Sequence, residues 1–202
     1  MDARKARVLD YGFIELVDFM GGDARIVEAA RICYRSDGGD DAALIRRLVT
    51  RGHNTPIKHA VMTWRVKCPL FVARQWLRHR MGTFNEQSLR YCAARREYYL
   101  PRGVPLIDEY VAAMEAAFDT YEALCAAGWK KERARGVLGT AVYTEFIWTV
   151  NAWSFINWLR KRLAAGAQYE HRCYARAAGE LWRAAMPLTA DAVLGDGLAA
   201  GD

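Results

Sequence analysis

The sequence predicts one domain of mixed α/β or α+β class in which helix exceeds strand. The chain has 202 residues, the length of one typical domain. Its 52% hydrophobic and 26% charged residues allow a substantial core and exclude intrinsic disorder. Helical and β-patterned segments alternate, and no linker, repeat or low-complexity block divides them. We therefore expect residues 1–202 to form a single domain with a frayed tail over about 195–202.

Three segments have the pattern of strands. Residues 10–20 alternate partly, and residues 59–67 alternate clearly, between apolar and polar side chains. Residues 141–150 are rich in aromatic and β-branched types, which favour strands. Between the regular segments we expect loops at 53–56, where a proline imposes extended backbone on its neighbour, and at 81–89.

Six segments are predicted to form helices, and in one of them, 106–127, apolar residues recur at helical spacing. From the N-terminus these predicted helices cover 24–34, 42–51, 70–80, 106–127, 153–164 and 167–185. The ends of the first four carry local signals, which in the same order are the capping residue Asp23, the capping residue Asp40 or Asp41, the N-terminal Pro69 and the C-terminal Gly128.

The sequence lacks the marks of a secreted, membrane-spanning or metal-binding protein. Its first residues, MDARKARVLD, have no apolar segment typical of a secretory signal. The longest charge-free apolar stretch, between Glu145 and Arg160, has 14 residues, whereas a membrane span needs about 20. The five cysteines are scattered without a CxxC pair, and neither GxGxxG nor a P-loop motif is present. We therefore expect a cytoplasmic protein without a metal site.

The positive charge is carried mainly by arginine. The net charge is +6, and 23 of the 29 basic residues are arginines. A guanidinium binds phosphate or carboxylate through two parallel hydrogen bonds, so this bias indicates anionic ligands. A GC-rich genome explains the bias equally well, and the 33 alanines favour that explanation.

One basic segment, residues 65–96, stands out from the rest of the chain. It has eight basic residues against one acid, Glu86: Arg65, Lys67, Arg74, Arg78, Arg80, Arg90, Arg95 and Arg96. A solvated helix end would explain such charge, but Trp76 and its apolar neighbours argue against that explanation. Basic residues interleaved with aromatic ones are also typical of single-stranded nucleic-acid binding, which remains the main alternative of another class.

Within this segment, Arg78-His79-Arg80 is followed by seven residues and then Ser88. This pattern resembles the signature of flavin-dependent thymidylate synthases. Further blocks continue the resemblance over about residues 50–180: GHNTPIKH at 52–59, VKCPLFVARQWLRHR at 66–80, NEQSLRY at 85–91, YTEFIWTVNAWSFIN at 143–157 and AQYE at 167–170. The length of the motif makes chance agreement very improbable.

The resemblance implies a mixed α/β fold around an antiparallel sheet, assembled as a homotetramer with FAD at the subunit interfaces. It also implies that the protein transfers a methylene group from methylenetetrahydrofolate to C5 of dUMP. NADPH would reduce the FAD, which then supplies the reducing equivalents that complete the methyl group. In this family no cysteine attacks the pyrimidine, which agrees with the absence of cysteine from 78–91.

The resemblance also assigns site residues by position. Those expected to contact FAD are His53, Thr55, Arg78, His79, Arg80, Glu86, Asn151 and Asn157. Those expected to surround the nucleotide are Gln75, Arg78, Glu86, Gln87, Ser88, Arg90, Arg135 and Arg162. Arg90 and Arg135 would bind the phosphate, since forked donors match phosphate oxygens. Arg162 would be catalytic: it cannot act as a base, but it can stabilise the negative charge that develops on the activated uracil.

Some of these residues have ordinary structural explanations. His53 precedes a turn and could cap the helix before it, and His79 could be exposed without a role. Asn151 and Asn157 could satisfy buried backbone groups instead of contacting FAD. For His53 and His79 the surrounding motif favours a role in the site, whereas for Asn151 and Asn157 both explanations stay open.

The chain departs from the family pattern near the expected flavin. Trp153 stands where arginine is usual, Gly166 where histidine is usual, and Thr83 where serine is usual. Ala164 and Ala165 replace residues that are often aspartate and serine. A hydrogen bond to a charged group contributes about 1.5–3 kcal/mol of binding free energy. Because these replacements remove such bonds, we expect FAD to bind more weakly than is usual in the family.

The same small residues leave the substrate open between dUMP and UMP. A site that excludes the 2′-hydroxyl must crowd it sterically, because a pocket rejects added polarity only weakly. Ala164, Ala165 and Gly166 would relax that crowding and admit UMP, which relatives in nucleoside-antibiotic pathways methylate. We place dUMP slightly ahead, and a relative that binds flavin and nucleotide without turnover remains the third possibility.

Overall fold

An antiparallel five-stranded sheet forms the centre of the protein, in a computed structural model that describes residues 4–33, 35 and 38–195. Its strands are β1 (Lys5–Val8), β2 (Gly12–Met20), β3 (Val61–Pro69), β4 (Thr83–Glu86) and β5 (Tyr143–Asn151). They lie in the order β1-β2-β3-β5-β4, and every neighbouring pair is antiparallel. This arrangement confirms the fold class that the resemblance implied.

Helices account for most of the remaining chain. In order they are α1 (Gly22–Ile32), α2 (Asp41–Thr50), α3 (Asn54–Ile57), α4 (Leu70–Trp76), α5 (Ile107–Ala126), α6 (Lys131–Ala134), α7 (Ala152–Leu163), α8 (Tyr169–Ala185) and α9 (Pro187–Leu194), with a 3-10 turn at Arg135–Val137. Across the described ranges, none of these helices combines the length and the hydropathy needed to cross a membrane.

The alternation of β3 and β5 sends one set of side chains into the core. Trp64 on β3 stacks on Phe155 of α7, with ring centroids 5.2 Å apart, and both side chains are fully buried. On the opposite face of the sheet, Arg65 pairs with Glu145, and Ile147 remains exposed. The aromatic core therefore lies between the sheet and α7, and one side of the sheet stays open.

Two predicted loops contain regular structure instead. Residues 81–89 include β4, a strand that exists because it pairs with β5 along Thr83–Glu86. Residues 53–56 overlap α3, which accommodates Pro56 because the first turn of a helix does not need that residue's N–H. Both predictions were wrong, and β1 was missed, since strands and helices of four residues carry too little pattern to recognise.

The prediction that Asp23 caps α1 was also wrong, whereas Asp40 caps α2 by accepting a hydrogen bond from the Ala43 amide. The Asp23 carboxylate accepts instead from the amides of Leu188 and Thr189, at 2.9 and 3.1 Å. It therefore caps α9, a helix that the sequence did not predict. The predicted frayed tail lies, beyond Gly195, outside the described residues.

Candidate active site

Three helix ends meet on one side of the sheet and bring four polar side chains together. Gln75 lies at the end of α4 and His79 in the turn after it, Arg162 lies in the last turn of α7, and Gln168 immediately precedes α8. We call this group of four residues the helix-end junction. Two of its members, Arg162 and Gln75, were predicted to contact the nucleotide, and His79 was predicted to contact FAD.

The Arg162 guanidinium is held by two acceptors. Its Nη2 donates to the Gln75 carbonyl oxygen at 3.1 Å and lies 2.9 Å from Nε2 of His79, while its Nε lies 3.2 Å from the same nitrogen. Helix α4 was predicted to reach residue 80 but ends at Trp76. In a longer helix the His79 amide would bond the Gln75 carbonyl, whereas here it bonds Trp76 and leaves that carbonyl to Arg162.

Burial makes His79 an acceptor for this contact. Burial lowers the pKa of His79 to about 4, and the nearby charges of Arg162 and Lys161 lower it further in the same direction. The imidazole is therefore neutral at pH 7, and its Nε2 accepts from the guanidinium. Burial also lowers the pKa of Arg162. The sequence alternative of an exposed, idle His79 does not describe this structure.

A stack of buried aromatic rings packs next to the helix-end junction. The Trp76 ring lies 4.6 Å from the Trp158 ring and 5.0 Å from the His171 ring, and all three side chains are fully buried. The Trp158 indole donates to Nε2 of His171 at 3.2 Å. Burial, followed by the charges of Arg162 and His79, lowers the pKa of His171 to about 2, so this ring is neutral. The sequence predicted no special place for His171, because its neighbours are distant along the chain.

A cleft of about 340 Å³ opens next to the junction. It is lined by Arg78, His79, Arg80, Met81, Trp148, Val150, Ser154, Asn157 and Lys161. Three of these residues are cations and none is an acid, so the cleft favours an anionic group. A Cβ on Gly82 would lie 2.7 Å from Nε1 of Trp148, so glycine lets the arginine-rich turn pack closely against β5.

Only part of the predicted FAD set lies at this cleft. Arg78, His79, Arg80 and Asn157 line it, whereas His53 and Thr55 line a separate cavity of about 570 Å³ between α1, α2 and α3. Three arginines, Arg31, Arg47 and Arg51, also line this second cavity.

Two ordinary explanations apply in the structure. The Asn151 side chain caps α7 by accepting from the Ser154 amide at 2.9 Å. His53 caps α2 through its backbone, because its amide donates to the Leu48 carbonyl at 2.9 Å after Gly52 adopts a positive φ of 69°. The imidazole of His53 thus stays available to the cavity between α1, α2 and α3.

The remaining predicted nucleotide residues follow β4 and the loop after it. The Glu86 carboxylate accepts from the Thr144 hydroxyl at 2.7 Å, and the Gln87 amide bonds the Glu145 carbonyl at 2.8 Å. Ser88 Oγ accepts from the Arg90 amide at 3.3 Å.

The two predicted phosphate residues are carried by exposed segments. Arg90 Nε lies 3.2 Å from the Glu132 carboxylate, which ties the loop to α6, and Arg135 is exposed on the 3-10 turn that follows α6. We call the three residues that the resemblance assigns to the nucleotide on these exposed turns, Ser88, Arg90 and Arg135, the phosphate segment. Within the described residues, no hydrogen bond or ion pair joins it to the helix-end junction.

Comparisons with known proteins decide the family. The family model described as thymidylate synthase complementing protein matches residues 15–188. A flavin-dependent thymidylate synthase of Thermotoga neapolitana is 41% identical over 203 residues and covers 94% of each chain. One of Thermus thermophilus is 40% identical, covering 90% of this chain and 75% of its own length. The chain belongs to the flavin-dependent thymidylate synthase family. The resemblance read from the arginine motif is thereby confirmed, and the cofactor is a flavin.

Solved structures agree with this family assignment. A UMP/dUMP methylase, PolB, from Streptomyces cacaoi bound with 5-Br dUMP superposes with a TM-score of 0.83 at 28% identity, covering 93% of this chain and 96% of the other. The same protein bound with 5-Br UMP gives a TM-score of 0.83 at 29% identity, covering 96% and 99%. The family and these neighbours therefore share the antiparallel sheet and the helices around it.

The cleft beside the helix-end junction suits an anionic part of a flavin cofactor. Arg78, Arg80 and Lys161 can bind phosphate oxygens, and the Asn157 amide can pair with polar ring atoms. The hydrogen-bond donors that line this cleft are thus compatible with a flavin cofactor.

Proposed function

We propose that the protein catalyses the FAD-dependent reductive methylation of dUMP at C5, with methylenetetrahydrofolate as carbon donor and NADPH as reductant. One observation carries the proposal: Arg162 is fixed by His79 and by the Gln75 carbonyl beside a cationic cleft, in a chain of the flavin-dependent thymidylate synthase family. A bound flavin supplies the reducing equivalents that pass from NADPH to the new one-carbon group. The remaining steps depend on the protein's own side chains.

Arg162 is the residue proposed to activate the pyrimidine. Uracil C5 becomes nucleophilic when negative charge accumulates across N3, C4 and O4. A guanidinium beside these atoms stabilises that charge, and partial burial strengthens the interaction because little water competes. His79 holds the guanidinium without neutralising it, since the imidazole is uncharged at pH 7.

The nucleotide is proposed to bind between the junction and the phosphate segment. Gln75 and Arg162 would contact the base, and Arg90 and Arg135 would bind the phosphate with Ser88. Gln87 and Glu86 would lie between them, at the end of β4. Arg78, which lines the cleft and follows Gln75 by three residues in the chain, would contact both flavin and nucleotide.

A homotetramer with shared sites would unite the separated groups. Six of the eight predicted FAD residues line two separate cavities. Among the described residues, no hydrogen bond or ion pair links the proposed base residues Gln75 and Arg162 to the proposed phosphate residues. The open face of the sheet exposes Val17 and Ile147, which a second copy could cover. We propose this assembly in a cytoplasmic setting, where the five cysteines, all free, would stay reduced.

UMP is a second candidate substrate for a structural reason. The turn between α7 and α8 follows Arg162 and contains Ala164, Ala165 and Gly166, all exposed. A Cβ added to Gly166 would meet nothing within 4 Å, so this turn has room for the 2′-hydroxyl of a ribose that we propose to bind beside it. The PolB structures contain bromo analogues of both dUMP and UMP.

A competition assay tests the proposal and separates the two substrates. The purified protein is incubated with FAD, NADPH, methylenetetrahydrofolate and equal dUMP and UMP, and mass spectrometry counts the methylated products. Mostly dTMP is the expected result, and mostly 5-methyl-UMP would transfer the activity to UMP. Bound flavin without either product would refute the methyltransferase assignment and leave a binding protein.

A further inference from the structure

Within the helix-end junction, the Gln168 side chain contacts the side-chain amide of Gln75. It occupies the position before α8, and its side chain is exposed. Its Oε1 accepts a hydrogen bond from Nε2 of Gln75. The backbone of Gln75 is fixed by Arg162 on the other side, at 3.1 Å. Residue 75 is therefore held by one contact at its backbone and one at its amide.

We propose that Gln168 is a positioning residue that orients the Gln75 amide and so makes the site prefer uracil over cytosine nucleotides. This inference rests on the proposed function, because it assumes that Gln75 and Arg162 face the base. It goes beyond that function in assigning base discrimination to a residue outside the predicted site.

The chemistry of the two bases gives the reason. Arg162 has only donors, so it pairs with a carbonyl oxygen of the base. Gln75, whose Nε2 is engaged by Gln168, presents its Oε1 as an acceptor. A donor beside an acceptor complements uracil, which offers O4 or O2 beside the N3–H. Cytosine offers an amino donor beside an unprotonated N3, the reverse pattern.

Without Gln168 the Gln75 amide is free to turn. An amide rotated by 180° presents Nε2, a donor, to the base, and the donor beside Arg162 no longer matches the N3–H of uracil. The loss of one matched hydrogen bond between Gln75 and the base is worth about tenfold in relative affinity.

Three substitutions of Gln168 separate orientation from fold. Glutamate in Gln168→Glu can only accept a hydrogen bond, so Nε2 of Gln75 stays turned toward residue 168. Gln168→Met keeps the side-chain length but removes the acceptor. Lysine in Gln168→Lys can only donate, so Oε1 of Gln75 turns toward residue 168 and Nε2 turns toward the base. The site is exposed at residue 168, so all three variants should fold.

The measurement is the ratio of the dissociation constants of dCMP and dUMP, by calorimetry on flavin-loaded protein. Both nucleotides carry the same phosphate, so the charge added by Glu or Lys cancels in the ratio. We expect the native protein to prefer dUMP, Gln168→Glu to retain that ratio, and Gln168→Met to lower it about tenfold. Gln168→Lys should lower it at least as much.

The possible failures are distinguishable. A native ratio that survives in Gln168→Met and Gln168→Lys would overturn the role of Gln168 and leave the proposed function intact. A native protein that binds both nucleotides equally would have the same consequence. A native protein that binds neither nucleotide would overturn the proposed function together with the inference.

Discussion

The helix-end junction and the phosphate segment differ in how firmly the fold holds their side chains. Arg162 is partly buried, lies above fully buried rings and has acceptors from two different parts of α4 and its following turn. Arg90 and Arg135 sit on exposed turns, and Arg90 is held by one carboxylate, Glu132.

This difference suggests a division of labour. Fixed dipoles and charges accelerate a reaction because they need no rearrangement when charge develops, so the group that acts on the base benefits from rigidity. A phosphate carries its full charge before, during and after the reaction. The residues that bind it contribute affinity equally throughout, and exposed arginines are sufficient for that task.

The largest effect should follow from changing the rigid region. Arg162→Ala removes the cation that we propose to stabilise the activated uracil, so we expect turnover to fall by about 10²–10³-fold or more while flavin remains bound. Steady-state turnover and flavin absorbance measure the two properties. Arg160→Ala is the matched control, since Arg160 is exposed on the same helix. Near-normal turnover in Arg162→Ala would remove this residue from the chemistry.

Changing the phosphate segment should affect binding instead of turnover. Arg90→Ala deletes a charged hydrogen-bond donor that we propose for the phosphate, so we expect the dissociation constant of dUMP to rise about 10–100-fold with little change in kcat. Titration of dUMP and saturation kinetics measure these quantities, with the exposed Arg133→Ala on α6 as control. If kcat fell as far as kcat/KM, the comparison drawn between the two regions would be wrong.

The burial that makes the junction rigid should also make it sensitive to acid. Because the pKa of His171 is about 2 in the folded protein and near 6.5 when unfolded, the unfolded chain binds one more proton between these values. Stability is therefore complete above about pH 6.5 and declines as the pH falls, by up to about 1.4 kcal/mol per pH unit from this residue.

His171→Gln tests this contribution. Glutamine can still accept from the Trp158 indole but does not titrate, so the decline between pH 6.5 and 4.5 should become shallower by about one proton. Urea unfolding across this range measures the slope. The exposed His59→Gln should keep the native slope. An unchanged slope in His171→Gln would show that His171 is not a neutral buried group.

The candidate site was predicted from sequence to different extents in the two regions. The arginine-rich motif made Arg78, His79 and Arg80 recognisable, because they lie together in the chain. The contact between His79 and Arg162 joins residues 83 positions apart, and nothing local to either residue indicates it. Gln168 and His171 escaped prediction for the same reason.

The fold shows the same limit in its capping residues. Asp40 was one of the two capping residues predicted for α2, and it was recognisable because its partner, the Ala43 amide, is three residues away. Asp23 has the same chemistry, but its carboxylate finds the amides of Leu188 and Thr189, about 165 positions away. A capping side chain indicates that a helix begins nearby in space. The sequence identifies that helix only when it is also adjacent in the chain, as it is for Asp40 but not for Asp23.

By itself the sequence determined the long elements, the basic segment and the family, because helical period, strand alternation and the spacing of a motif are properties of consecutive residues. The tertiary structure decided the two shortest strands, the end of α4 and the state of His79. Those features depend on partners supplied from elsewhere: β5 pairs with β4, and Arg162 takes the carbonyl that a longer α4 would have used. Burial, which lowers the pKa of His79 and makes it an acceptor, arises only when the three helix ends pack together.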